Sequence, residues 1–173
     1  MRRRVQRLPW QRAGITLTQA PLYQRIVSFP VVHDRERATG VLADLTARCT
    51  NDAELAPLRA LIAEPKVSAL LSGIFGASPY LTELILRNPA ALRDALTAVP
   101  EQRFAALVAQ MASSVAAAAG IPEAMRALRL FKSDVALLAA LCDLGGVWPV
   151  MTVTRRLSEA ADAAVSACVH FLF

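Results

Sequence analysis

Apolar residues recur at helical spacing through the stretch from Pro122 to Trp148, around which the rest of the chain is organised. They follow one another at steps of three and four, which places them on one stripe of a helix: Ala124, Leu128, Phe131, Val135, Leu138 and Cys142. Pro122 suits the first helical turn, and Gly145-Gly146 followed by Pro149 is typical of a helix end. The pattern therefore predicts a helix from Pro122 to about Leu144.

Similar patterns predict helices through most of the remaining chain. One helix begins at Asp34 and is interrupted by Gly40, and a short one lies around Pro21 to Val27. Ser78-Pro79 and Asn88-Pro89 each place a capping side chain before a proline at the first helical position. The other predicted helices cover residues 52–64, 66–75, 79–87, 89–99 and 101–120.

The final segment, MTVTRRLSEAADAAVSACVHFLF, carries an apolar stripe of its own. Its predicted inward face is formed by Leu157, Ala161, Ala164, Cys168 and Phe171. Small residues on this face would let the helix that begins at Pro122 approach closely. The last turn has four apolar residues out of five and no stop signal, so we expect that the sequence ends within an element.

No alternating strand pattern and no Asn-Gly or Asp-Gly hairpin turn occurs in the sequence. Alanine and leucine, both strong helix formers, dominate the apolar residues. We therefore predict an all-α fold, an irregular multi-helix bundle of about seven or eight helices with no sheet. Residues 1–33 are predicted to be an Arg-rich, largely irregular segment, and residues 34–173 a helical domain.

The net charge of +5 comes entirely from the start of the chain. Five arginines stand there without an acid, namely Arg2, Arg3, Arg4, Arg7 and Arg12. Without them 19 − 5 = 14 basic residues balance 14 acidic ones. The tail could contact nucleic acid or anionic lipid, or act as a transit peptide, but it lacks the aromatic interleaving of a nucleic-acid platform. We favour a solvated terminus, expect no nucleic-acid partner, and predict that any such binding disappears when residues 1–12 are deleted.

An uncharged run from Phe104 to Ile121 raises the question of a membrane span. Gln110, Ser113 and Ser114 interrupt it, so we predict a buried Ala-rich helix and no membrane partner. Three widely spaced cysteines form no CxxC pair: Cys49, Cys142 and Cys168. Buried, reduced thiols in a cytoplasmic protein are the interpretation we prefer.

Motifs for catalysis are missing from the 173 residues. His33 and His170 have no GxSxG beside them, and Asp134, Asp143 and Asp162 stand singly without an Asp-x-Asp for Mg²⁺. Gly73 and Gly76 fit no phosphate-loop motif, which favours close helix packing there. We therefore assign no catalytic, cofactor-binding or metal residue.

One weak binding candidate remains, a basic cluster on the central helix. Arg126, Arg129 and Lys132 spread over roughly a third of the helix circumference. They form either an anion contact or, as we prefer, a solvated face.

Two blocks of sequence resemble landmarks of a known family. Residues 73–89, GIFGASPYLTELILRNP, and residues 126–165, RALRLFKSDVALLAALCDLGGVWPVMTVTRRLSEAADAAV, occur in the order and at a separation similar to those of the glutamine synthetase adenylyltransferase/adenylyl-removing family. The resemblance covers roughly residues 34–168. The family tends to be more basic where this chain has Ser133 and Asp134, which argues against an anion contact there.

This resemblance implies a function that lies mostly outside the present chain. Members of the family are much longer; they attach AMP from ATP to a tyrosine of glutamine synthetase and remove it by phosphorolysis, under control of a PII signalling protein and glutamine. Their nucleotidyltransferase domains carry a Gly-Ser start and a metal-binding Asp-x-Asp, so Mg²⁺ and ATP are implied for the whole protein and no cofactor for this chain.

Two interpretations of the chain follow from the resemblance. We expect a truncated helical region that precedes the first nucleotidyltransferase domain, that has the missing C-terminal domains as partners in cis, and that is inactive alone. The alternative is a stand-alone helical protein-interaction module whose partner covers Phe171 and Phe173.

Overall fold

The computed structural model describes residues 19–173, and its described part is 82% helical without a strand. The Arg-rich start lies outside the described residues. The all-α prediction is confirmed, with nine α-helices in the described part. In chain order they are α1 Leu22–Arg25, α2 Arg35–Asn51, α3 Ala56–Ile62, α4 Pro65–Ala77, α5 Pro79–Arg87, α6 Pro89–Thr97, α7 Pro100–Ala116, α8 Ile121–Leu144 and α9 Val150–Leu172, with a 3₁₀ turn at Ala53–Leu55.

Side-chain caps fix the starts of the short helices α5 and α6. Ser78 accepts a hydrogen bond from the backbone N–H of Leu81 at 3.3 Å, and Asn88 accepts one from that of Ala91 at 3.2 Å. Both bonds satisfy donors that the first helical turn leaves unpaired, so the two predicted cap-proline pairs are confirmed. The predicted break at Gly40 is wrong, because α2 runs through it without interruption.

The two glycines of α4 mark places where the preceding chain lies against this helix. A Cβ on Gly73 would come within 2.6 Å of the carbonyl oxygen of Pro30, and one on Gly76 within 2.9 Å of that of Asp34. The backbone N–H of Asp34 donates to the carbonyl of Gly76 at 3.1 Å. The close packing expected of these glycines is therefore confirmed, although the element packed on them is an extended segment rather than a helix.

The central helix α8 buries its predicted stripe except at Leu128, which is only partly buried. Phe131, Val135, Leu138 and Cys142 are at most 6% exposed. The helix ends at Gly145-Gly146, where Gly146 has a φ of 65°, a conformation that favours glycine. There the carbonyl of Gly145 accepts hydrogen bonds from the N–H groups of Val27 and Ser28, at 2.9 and 3.2 Å. The end of α8 thereby holds the segment that follows α1.

Helix α7 carries most of the uncharged run that begins at Phe104, but it is not the buried Ala-rich helix predicted there. Only one stripe of it is covered by its neighbours, formed by Phe104, Leu107, Met111 and Val115. Most of its alanines are at least partly exposed, because α8 and α9 pack on one side of the helix only. No single described helix is long and apolar enough to cross a membrane; a pair bent by 95°, Ala53–Ile62 with Pro65–Ala77, passes that test by length and composition alone.

The inward face of α9 agrees with the predicted one at Ala164 and Phe171 and departs from it at Leu157 and Ala161. Leu157 is 45% exposed and Ala161 is exposed, whereas Ala160 is buried. The residues that pack against the core are Val153, Ala160, Ala163, Ala164, Ala167 and Phe171. Helix α9 contacts both α7 and α8, and this two-sided contact turns the alanine stripe inward.

Two of the three cysteines are buried. Cys49 and Cys142 are at most 1% exposed, and burial raises the pKa of both thiols. Cys168 is partly exposed, so its predicted burial is only partly realised. No disulfide links the three cysteines.

Candidate functional site

A concave surface lies between the α5–α6 junction and the first half of α8. We call it the arginine cleft; its volume is about 620 Å³. Its lining residues are Leu84, Arg87, Asn88, Ala91, Pro122, Arg126, Arg129, Leu130, Ser133, Asp134 and Leu137. A volume of this size is in the range of small-molecule sites, which combine apolar walls with a few polar groups.

Local structure brings the arginines to the cleft from two directions. Arg126 and Arg129 are three residues apart on α8 and therefore lie on the same side of that helix. Arg87 is the last residue of α5, and Asn88 behind it caps the next helix. The sequence did not point to Arg87, because nothing in a single sequence relates the end of α5 to the face of α8.

The predicted basic cluster is divided by the structure. Arg126 and Arg129 line the arginine cleft, whereas Lys132 lines a different depression between α8 and α9. Successive steps of three residues rotate around the helix by about 60° each, and two steps carry Lys132 away from the cleft.

The positive potential of the cleft is only partly neutralised by the protein. Arg87 pairs with Glu83 one turn earlier on α5, and this pair is exposed on both sides. The Nε of the exposed Arg129 donates to the carbonyl of Met125 at 3.1 Å, and among the described residues no carboxylate pairs with this guanidinium. Asn88 and Ala91 place the N-terminus of α6 at the cleft, and a helix N-terminus favours nearby negative charge.

Asp134 is the one carboxylate among the lining residues. Burial raises the pKa of Asp134; Arg103 opposes this effect and Asp94 adds to it. A second cavity of about 170 Å³ adjoins the cleft, since both are lined by Asn88, Leu130 and Asp134. Asp134 therefore lies where the two cavities meet.

The other residues considered from the sequence do not assemble into a site. His33 is exposed before α2, and the Nδ1 of His170 lies 2.7 Å from the carbonyl of Ser166 on its own helix. Asp143 and Asp162 are both exposed on separate helices. Across residues 19–173 no group of three His, Cys, Asp or Glu side chains is close enough to hold a metal ion.

A second depression, which we call the α8–α9 groove, is almost entirely apolar. Its volume is about 290 Å³, and Lys132 is the charged residue at its edge. The apolar lining comes from Leu128, Phe131, Val135, Ala136, Leu157, Ala160, Ala161 and Ala164. Beside it the outer side of α9 exposes further apolar residues, among them Val165, Val169 and Leu172. This surface is suited to contact with another apolar helix.

The described residues form an all-α fold with a cleft lined by three arginines, and comparison with known sequences gives the family of the chain. A sequence model of the glutamate-ammonia ligase adenylyltransferase family matches residues 68–173. The similar proteins are bifunctional glutamine synthetase adenylyltransferase/adenylyl-removing enzymes. The one from Bradyrhizobium diazoefficiens is 41% identical over 139 residues, and the one from Rhodopseudomonas palustris (strain CGA009) is 44% identical over 137 residues.

The chain belongs to the glutamate-ammonia ligase adenylyltransferase family. The match to the Bradyrhizobium diazoefficiens protein covers 80% of this chain and 14% of that protein. The match to the Rhodopseudomonas palustris protein covers 79% of this chain and 13% of that protein. The enzyme from Brucella suis is 38% identical over 140 residues, and this match covers 80% of the present chain and 14% of that enzyme. The chain thus spans about one seventh of the length of these relatives. No solved structure significantly matches it.

Proposed function

We propose that this chain is the helical region that precedes the first nucleotidyltransferase domain in an enzyme that transfers AMP to and from a tyrosine of glutamine synthetase. The observation that carries the proposal is the identity of 38–45% to proteins that bear that bifunctional name. The all-α architecture is compatible with a region outside the nucleotidyltransferase domains.

In this proposal the chemistry belongs to the rest of the polypeptide. Mg²⁺ and ATP bind to nucleotidyltransferase domains with an Asp-x-Asp motif, and the 173 residues contain no such motif. The chain contributes a scaffold in the cytoplasm, and its partners are glutamine synthetase, a PII signalling protein and the catalytic domains in cis. Without those domains the chain is inactive.

Two measurements test this function. Purified chain incubated with radiolabelled ATP, Mg²⁺ and glutamine synthetase should transfer no AMP, whereas the Bradyrhizobium diazoefficiens enzyme should. A chimera in which residues 34–168 replace the matching region of that enzyme should retain adenylylation and removal. AMP transfer by the chain alone contradicts its inactivity, and a folded, soluble chimera without either activity contradicts the role as an equivalent helical region.

A second function, a helical protein-interaction module, is favoured by one specific observation. The apolar face of α9 and the α8–α9 groove are not covered by any described part of the chain. Phe173 is fully exposed, but Phe171 is partly buried against the core, so a substitution of Phe171 would disturb packing within the chain as well as the surface.

The exposed residues Leu157 and Leu172 separate this second function from the first. If the chain is an interaction module, the double variant Leu157→Gln with Leu172→Gln should no longer form a stoichiometric complex with a helical partner. Pull-down and light-scattering measurements test this. The matched control is Ser158→Gln on the polar side of α9. If the double variant binds as well as the control, the groove is not the interaction surface.

A further inference from the structure

We infer that the arginine cleft binds an organic phosphate monoester, whose phosphate lies at Arg126, Arg129 and the N-terminus of α6 and whose hydroxyl group reaches Asp134. This site is independent of the proposed function, because it concerns a small ligand on the described chain itself and needs no transfer of AMP.

Uncompensated charge is concentrated on one wall of the cleft. Arg126 and Arg129 form no ion pair with any described residue. Two like charges three residues apart on one helix repel each other, and an anion between them removes that cost. Guanidinium groups bind phosphate through paired hydrogen bonds, which makes arginine the usual residue for phosphate recognition.

The opposite wall of the cleft adds a helix N-terminus, since the charge of Arg87 there is balanced by Glu83. Arg87 ends α5 there, and the capped N-terminus of α6 follows at Asn88. The dipole at the N-terminus of α6 and the guanidinium groups together favour a ligand group with two negative charges over one with a single negative charge. A phosphate monoester carries such a charge near neutral pH, whereas a single carboxylate does not.

The remaining walls indicate what the rest of the ligand contains. Leu84, Leu130 and Leu137 provide apolar surface. Asp134 is partly buried and interacts electrostatically with Arg103, but no described residue donates a hydrogen bond to its carboxylate. A partly buried acceptor without a donor is stabilised when a ligand supplies one. The cleft therefore suits a compact molecule that combines a phosphate, a hydroxyl group and some apolar surface.

Isothermal titration calorimetry on the whole chain tests the inference at low ionic strength. Ribose 5-phosphate is the test ligand, with ribose as the uncharged comparison and citrate as a carboxylate polyanion. Wild-type chain should bind ribose 5-phosphate, bind citrate at least about tenfold more weakly, and not bind ribose. The double variant Arg126→Ala with Arg129→Ala should weaken the binding of ribose 5-phosphate by about tenfold or more, because it removes the paired, charge-assisted hydrogen bonds to the phosphate.

Two further variants make the result specific. Lys132→Ala removes a positive charge from the same helix but from the α8–α9 groove, so it should leave the affinity within about twofold. Asp134→Ala should weaken the binding of ribose 5-phosphate several-fold. It should not weaken the binding of phenyl phosphate, which lacks a hydroxyl group. Circular dichroism establishes that each variant is folded.

Three results would overturn the inference. The first is the absence of binding to wild-type chain. The second is equal weakening by Lys132→Ala and by the double arginine variant, which would indicate attraction to overall charge. The third is citrate binding as tight as that of ribose 5-phosphate, which would indicate a general anion surface rather than a phosphate site.

Discussion

The helices before residue 100 and those after it are held in place by different means. In residues 19–99, Asp34, Ser78 and Asn88 cap three of the six α-helices with side chains, while α1, α3 and α4 have no such cap. Helices α7, α8 and α9 have 17, 24 and 23 residues and begin without a side-chain cap. A short helix gains little from its own hydrogen bonds and depends on its ends, whereas a long one is stabilised along a buried stripe.

The two regions also differ in how completely their apolar surface is covered. Helix α4 buries seven residues out of 13, while α9 fully buries only Ala160 out of 23. The arginine cleft lies where the regions meet, with α5 and α6 on one side and α8 on the other. The contrast shows that α9 leaves far more of its apolar surface exposed than α4 does.

The largest loss of stability is expected in the buried stripe of the second region. Leu138 is 1% exposed, and Leu138→Ala should lower the free energy of unfolding by about 2–5 kcal/mol because it leaves a cavity. Leu157→Ala, at a 45% exposed position on α9, should cost less than about 1 kcal/mol. Urea unfolding followed by circular dichroism measures both, and equal costs would mean that α9 is as well covered as α8.

An intermediate effect tests close packing in the first region. Gly73→Ala should destabilise the protein by about 1–3 kcal/mol, because the new Cβ meets the Pro30 carbonyl and the backbone must shift. Gly40→Ala on α2 is the control: nothing lies within 4 Å of its Cβ, so the better helix former should stabilise by about 0.5–1 kcal/mol. Thermal unfolding distinguishes the two, and changes of the same sign would contradict this difference between the glycines.

The smallest effect concerns Glu101, which joins the two regions. Its carboxylate accepts hydrogen bonds from Arg25 of α1 at 2.7 Å and from the Nε1 of Trp148 at 2.9 Å. Burial alone would raise the pKa of Glu101, but these hydrogen bonds outweigh it and hold the pKa below its ordinary value. At neutral pH Glu101→Gln should cost about 1 kcal/mol, a modest value because the side chain is 36% exposed.

The pH dependence of this loss has a definite sign. Because the pKa of Glu101 is lower in the folded than in the unfolded chain, its stabilisation is fully present above the unfolded-state pKa and disappears as the pH falls through the folded-state pKa. The difference between wild type and Glu101→Gln should therefore shrink in acid. Glu83→Gln, in an exposed pair with Arg87, serves as the control with little difference at any pH. A difference for Glu101 that grows in acid would contradict the lowered pKa.

Local features of the chain were readable from the sequence because their causes are local. The caps at Ser78 and Asn88 and the stop at Gly145-Gly146 depend on residues within one or two turns. The stripe of α8 was identified because its apolar positions follow one helical face. Helix α9 has apolar positions on two adjacent faces, at Leu157 and Ala161 and at Ala160 and Ala163, so periodicity could not decide between them.

The amino-acid sequence was thus enough to predict the helices, most of their ends, the buried side of α8 and the family. Packing in three dimensions set which face of α9 lies inward, which backbone segments lie on Gly73 and Gly76, and which basic residues share the cleft: Arg87 joins Arg126 and Arg129, while Lys132 does not. The physical reason is that helical periodicity sets the angles between side chains within one helix, whereas the angle between two helices depends on contacts between residues far apart in the chain.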